Sequence, residues 1–315
     1  MGIVDWFKKW RHSSVNSGHA MHQPLMSQAD IRQWGQTIEA YFASLSPSQR
    51  LSELSLLGDQ VSRFRGQGME YEESRGYQPG DELRHLNWRL MARTGKPSTK
   101  LFQEDRQAQW VILLDQRQAM RFATRGRLKV EQGLRLAGWL AWIAQRQGIK
   151  LQALGLSEQL QVSPILEGRQ LYPAVMQHFN QPCPRRDHII EPSFLDVIQG
   201  SSQHWPSGSR IWLISDFADI EPAHQAWLAQ INHRWQLSAV AIYDPVEQQL
   251  NAKQSLSLAA QGQVYKLNAQ QQQDYNHWAR SHNPLQTLKR AGLDTFSFST
   301  VDSLLGHPFL AKASA

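Results

Sequence analysis

The ten residues Val111–Met120 read VILLDQRQAM, and the fold turns on their first half. Val111 to Leu114 form an unbroken apolar run, and the run stops at Asp115. A short apolar run of this kind suits a strand buried on both faces, as in a parallel sheet. Open α/β sheets place their ligands at the carboxyl ends of strands. Asp115 is therefore the first candidate for a functional side chain.

The residues downstream repeat this theme. Strand patterns fall at 110–115, 150–156, 210–215, 238–243 and 295–299, with a hairpin at 255–267. Helical periodicity covers 128–146, 168–179, 194–204, 222–235, 269–291 and 302–310. Strands that alternate with helices predict an α/β fold with a mainly parallel, Rossmann-type sheet and right-handed crossovers. A second strand ends in acid: Asp216, in IWLISDF.

Upstream the texture differs. Residues 1–29 read as a flexible tail. Apolar residues at helical spacing (Ile31, Trp34, Ile38, Phe42, Leu45) predict a helix, and a second short one fits 51–57. Between Val61 and Gln109, turn signals such as Pro79-Gly80-Asp81 and Gly95-Lys96-Pro97 separate short strands. This predicts a small β-rich subdomain with a helical turn near 83–88, capped by Asp81. The expected division is 1–29, 30–109 and 110–315.

Composition narrows the function classes. The chain has 315 residues, 41% of them hydrophobic, with a formal charge of +6. Its lone cysteine, Cys183, excludes an intrachain disulfide and a cysteine-based zinc site. A cytoplasmic protein is the natural reading. The basic surplus is partly local, with Arg121, Arg125, Arg127 and Lys129 following the first strand of the sheet. These four are read as a basic face for an acidic partner. Trp6, Phe7 and Trp10 beside Lys8, Lys9 and Arg11 suit at most a peripheral membrane contact. No phosphate loop, Gly-x-Ser-x-Gly elbow or His-Glu-x-x-His pattern occurs.

The stretch RGQGMEYEESRGYQPGDELRHLNWRLMARTGKPSTKLFQEDR carries the most specific signal. Its Arg75, Tyr77, Gly80, Asp81, Arg84, Trp88, Arg93 and Lys100 resemble the signature of the bacterial domain-of-unknown-function 58 family. LISDF and IYDPVEQQL extend the resemblance more weakly. Glu82, Asn87 and Ser98 depart from the family's usual residues. The resemblance implies a von Willebrand factor A-like α/β domain after the signature region. It also implies an adaptor role beside a MoxR-type AAA+ ATPase and other von Willebrand factor A proteins, with no established catalysis. Trp, Tyr and Arg in the signature suit either internal packing or a docking face.

In that domain class a divalent ion sits where the first strand ends, on an Asp-x-Ser-x-Ser loop. Here the loop keeps Asp115 and loses both serines, to Arg117 and Ala119, while Asp216 matches the acid of another loop. An inward guanidinium about 4 Å from a divalent ion would repel it by about 8 kcal/mol at an effective dielectric near 20. The expectation is a degenerate metal site with no cofactor, in which Arg117 stands between Asp115 and Asp216. Two alternatives stay open. One is a metal-dependent hydrolase or nuclease using Asp115 and Asp216. The other is a binder of anionic lipid or nucleic acid.

Overall fold

The structure, a computed structural model, describes residues 23–50, 70–78, 86–103, 109–182, 191–206, 208–250, 256–260 and 263–306. The chain divides into two units, one of Met1–Gly58 with Gln109–Ala315 and one of Asp59–Ala108. This division differs from the expected one at its first boundary. Helix α1 (Gln28–Ser44) belongs with the α/β unit, because it buries Ile31, Trp34, Ile38 and Phe42 in that unit's core. A capping box between Ser27 and Asp30 starts the helix. The expected tail also ends earlier than residue 29. Met26 is buried, and its backbone N–H and carbonyl both bond to the Asn180 side chain, at 2.8 and 2.9 Å.

In the smaller unit, β1 (Glu70–Gly76) pairs antiparallel with β2 (Ser98–Gln103) across an irregularity between Tyr71 and Glu73. Helix α2 (Trp88–Thr94) lies between them in sequence. Its N-cap is Asn87, which accepts from the Leu90 N–H at 3.1 Å, and Gly95 in the left-handed region ends it. The helix thus begins where the expected turn near 83–88 was to end. Asp81 and the expected helix at 51–57 lie outside the described residues.

The larger unit runs β3 (Gln109–Asp115), α3 (Lys129–Gln147), β4 (Lys150–Leu156), β5 (Leu160–Val162), α4 (Leu171–Phe179), α5 (Phe194–Ser202), β6 (Arg210–Ser215), α6 (Gln225–Arg234), β7 (Gln236–Tyr243) and α7 (Pro245–Gln248). A hairpin of β8 (Leu256–Ala260) and β9 (Gln263–Leu267) follows, then α8 (Ala269–Ser281), α9 (Pro284–Arg290) and β10 (Asp294–Ser299). The expected helix over 269–291 is broken in two. Asn283 caps a new helix and Pro284 opens it, so the residue before the proline leaves the helical region. The described part of 302–310 holds turns rather than a helix.

The main sheet has the order β10-β7-β6-β3-β4-β5, parallel throughout except for β5 against β4. It is an α/β fold of the Rossmann type, with helices on both faces. Alternation along the strands builds two cores. Trp110, Ile112, Leu114, Trp212 and Ile214 face α1, α3 and α4; Val111, Leu113, Ile211 and Leu213 face α5, α6 and α9. Gly133 lets α3 lie close over the sheet, since a β-carbon there would stand 2.7 Å from a Leu114 methyl. Helix α3 leads from β3 to β4, whereas β6 continues to β7 under α6 on the opposite face. The chain therefore diverges at the carboxyl ends of β3 and β6, the place where such sheets form a crevice.

Candidate functional site

Strand parity decides what meets at that crevice. Asp115 ends β3 and Ser215 ends β6. Both continue the odd-numbered rows that face the α5 and α6 side. The Ser215 hydroxyl donates to Asp115 Oδ2 at 2.6 Å. Asp115 is fully buried, and Arg117, two residues on, is 8% exposed.

Arg117 folds back into the crevice as a clamp. Its Nε donates to Asp115 Oδ1 at 3.0 Å and its Nη2 to Asp115 Oδ2 at 2.8 Å. Nη1 reaches Asp219 Oδ2 at 2.8 Å and the Pro192 carbonyl at 3.2 Å, and Nη2 reaches Asp219 Oδ1 at 3.2 Å. All five N–H groups of the guanidinium are engaged. Phe194, whose own N–H caps Asp219 at 3.0 Å, lies under the guanidinium at 5.6 Å from the ring centre. Burial alone would pull the Arg117 pKa down, but Asp115 and Asp219 outweigh it and raise it. Burial likewise opposes charge on Asp219, yet its bonds to Arg117 hold its carboxyl below the ordinary range.

The expected partner of Arg117 was Asp216, and the structure corrects this. Asp216 is even-numbered and continues the row of Trp212 and Ile214, on the α3 side of the sheet. There it meets Lys129 Nζ at 2.9 Å, and the same ammonium holds Glu247 at 2.7 Å. Lys129 is fully buried, so it is no part of a basic face. Its desolvation is outweighed by the two carboxylates, which raise its pKa. Glu247 also accepts from the Asp244 N–H, and Asp244 takes hydroxyl bonds from Thr124 at 2.6 Å and Thr300 at 3.1 Å. This second knot ties α3, the loop after β6 and the loop after β7 together.

The remaining candidates separate. Arg121 is buried, with Nε on the Gln116 carbonyl at 3.1 Å. Arg125 and Arg127 are exposed, the latter 3.7 Å from Glu131, so only these two of the four basic residues form an outward face. Ala119 is buried in the short turn after Arg117. Glu191 caps that turn by accepting from the Gln118 N–H at 2.6 Å, and burial pushes its carboxyl up. In the smaller unit Tyr77 is half-buried, Arg93 is exposed and Trp88 is 61% exposed. Gly80, Asp81 and Arg84, and the side chains of Arg75 and Lys100, lie outside the described residues.

Sequence reasoning missed Asp219 and the burial of Lys129, and both had a signal. Asp219 is the second acid of the loop SDFADI after β6. Lys129 stands four, seven and eleven residues before Gly133, Leu136 and Leu140, which places it on the buried stripe of α3.

A divalent ion does not fit beside Asp115. Its Oδ1 accepts from the Arg117 N–H and Nε, and its Oδ2 from Arg117 Nη2 and Ser215. These four bonds occupy the lone pairs that a metal would need. Among the described residues, no group of three or more His, Cys, Asp or Glu is arranged to hold a metal ion.

Comparison with known proteins gives a family and no activity. Uncharacterized proteins of Mycobacterium bovis (Mb1516) and Mycobacterium tuberculosis (Rv1480) are 29% identical to this chain over 134 residues, 42% of each chain. The match thus spans less than half the length of those relatives. Among solved structures, the conserved hypothetical protein BatB from Bacteroides thetaiotaomicron aligns over 66% of this chain and 98% of its own, at 14% identity and a TM-score of 0.42. An uncharacterized membrane spanning protein from Vibrio fischeri aligns over 66% and 95% at 15% identity, with a TM-score of 0.21. Among the described residues, no helix of this chain is long and apolar enough to cross a membrane. Residues 73–284 match the family model described as protein of unknown function DUF58, and the chain belongs to that family.

Proposed function

We propose that this chain is a non-catalytic protein-docking module of von Willebrand factor A-like type, working with a MoxR-type AAA+ ATPase and related proteins in the cytoplasm. One observation carries the reading: the guanidinium of Arg117, held between Asp115 and Asp219, stands where an ion-dependent contact would need its cation. A fixed side chain makes the geometry of the rim independent of metal supply. The loops after β3 and β6 are then held in one arrangement, ready for a partner. The hydrolase alternative requires Asp115 and Asp216 to share a metal, whereas each closes on a different ammonium or guanidinium group.

The test is a binding titration of the full chain against the nucleotide-free ATPase, in magnesium and in excess EDTA. The expected result is the same affinity in both, with weaker binding when Arg125 and Arg127 are both changed to Glu. Loss of binding in EDTA would overturn the metal-free contact. Unchanged binding by the double variant would remove the basic rim from the contact.

A further inference from the structure

A cavity of about 670 Å3 opens at the carboxyl ends of β7 and β10, on the far side of Asp216 from the Arg117 clamp. Its size suits an organic molecule rather than a single ion. Hydrogen-bond capacity on its two sides is unequal. On the floor, each carboxylate already accepts at least one bond. Asp216 takes Lys129 and the Ala218 N–H, Glu247 takes Lys129 and the Asp244 N–H, and Asp302 takes the Ser299 N–H.

The opposite wall is rich in donors. Arg280, at the end of α8, has no hydrogen bond or ion pair from its side chain among the described residues. Tyr243 and Asn283 line the same cavity, and neither the Tyr243 hydroxyl nor the Asn283 side-chain NH2 has an acceptor among the described residues. His282 stacks on Trp278, with ring centres 5.2 Å apart, and its Nδ1 lies 3.0 Å from the Trp278 carbonyl. Ile242, Pro245, Pro284 and Leu285 supply apolar lining between these groups.

We infer that this cavity binds an organic oxyanion, a carboxylate or phosphate carried on an apolar body, with Arg280 as its principal contact. Acceptor-rich ligands suit a wall of unengaged donors, and a guanidinium takes both carboxylate and phosphate through paired bonds. The negative floor does not repel such a group in full, because Lys129 lies behind it with its charge on Asp216 and Glu247. This inference stands apart from the docking reading, since it uses neither Arg117 nor the basic rim.

Ligand-detected NMR on the full chain tests it, with benzoate and phenyl phosphate as probes and benzamide as the neutral control. The expected result is binding of at least one oxyanion and none of benzamide. A preference for phenyl phosphate assigns a phosphate ligand, and a preference for benzoate a carboxylate. Arg280→Ala should weaken that binding at least about tenfold with an unchanged melting temperature. Ala279→Trp, which narrows the cavity without touching a charge, should abolish it. Equal binding of benzamide, no binding of either oxyanion, or full binding by either variant would overturn the inference.

Discussion

The carboxyl edge of the sheet has a sealed half and an open half. In the sealed half, two buried cations close on four carboxylates: Arg117 on Asp115 and Asp219, and Lys129 on Asp216 and Glu247. In the open half, beyond β7, the Arg280 side chain lines a cavity with no partner among the described residues. The same chemistry, a cation near acids, serves two ends. Where a cation is buried and fully bonded it fixes loops, and removing it strands charge. Where it is exposed beside a cavity, its donors are available to a ligand and contribute little to stability. The comparison predicts a steep gradient of mutational cost across a short stretch of one sheet edge.

The largest effect is expected at Lys129. Lys129→Met keeps the volume and removes the charge, leaving Asp216 and Glu247 buried against each other. Breaking a buried ion pair in this way costs about 4 kcal/mol, read as a fall in the denaturant midpoint. A loss under about 1 kcal/mol would mean that water reaches the knot, and the sealed half would not be sealed. Arg117→Met should cost less, about 3 kcal/mol, because the Asp219 side chain is 23% exposed and can recover some hydration. Pairing Arg117→Ser with Ala119→Ser sharpens the point. It frees Asp115 and adds two hydroxyls, so manganese binding measured by calorimetry should exceed that of the parent chain.

The third effect depends on pH. Asp219 has its folded carboxyl held below the ordinary value. Its contribution is therefore complete above the unfolded value, near pH 3.9, and is lost as pH falls through the folded value. Asp219→Asn keeps the shape and removes that titration. The variant should lose about 1–2 kcal/mol at neutral pH, and its stability should fall less steeply on acidification, so that the two proteins converge in acid. Denaturant midpoints from pH 7 downward measure this. Glu191 has the opposite sign, since burial raises its carboxyl. Its favourable contribution is lost as pH rises through the folded value, and Glu191→Gln should flatten that limb instead.

How much of this was legible in the sequence follows from which signals are local. The apolar run before Asp115 and the helical spacing after it are local, and they yielded the sheet and the carboxyl-end site. The inward turn of Arg117 was a premise of the charge arithmetic, which foresaw Asp115 as a partner but not Asp219. Choosing between Asp216 and Asp219 needed the parity of β6 carried one residue past its end, which a pattern search for strand-terminal acids ignores. Lys129 was read by its charge, as surface, although its position on α3 placed it on the buried stripe. Position should have outweighed residue type, because a buried lysine is tolerated where carboxylates converge, and they come from segments 87 and 118 residues away. The break at Asn283-Pro284 was in plain view and was overridden by a longer periodic pattern. The cavity was not legible at all, since its walls come from strands, loops and helices distant in sequence.

The smallest effect is the one that holds the comparison together. Arg280→Ala removes a cation from the same sheet edge as Lys129→Met, yet stability should move by no more than about 0.5 kcal/mol. The reason is physical rather than positional: an exposed guanidinium with no partner among the described residues loses hydration on neither folding nor truncation, so its deletion leaves no orphaned group behind. If Arg280→Ala proved as costly as Arg117→Met, the open half would contain a structural ion pair, and the donors facing the cavity would belong to the fold. If it proved neutral in stability while an oxyanion lost its grip, burial would be the variable that divides the structural cations of this edge from the recognition one.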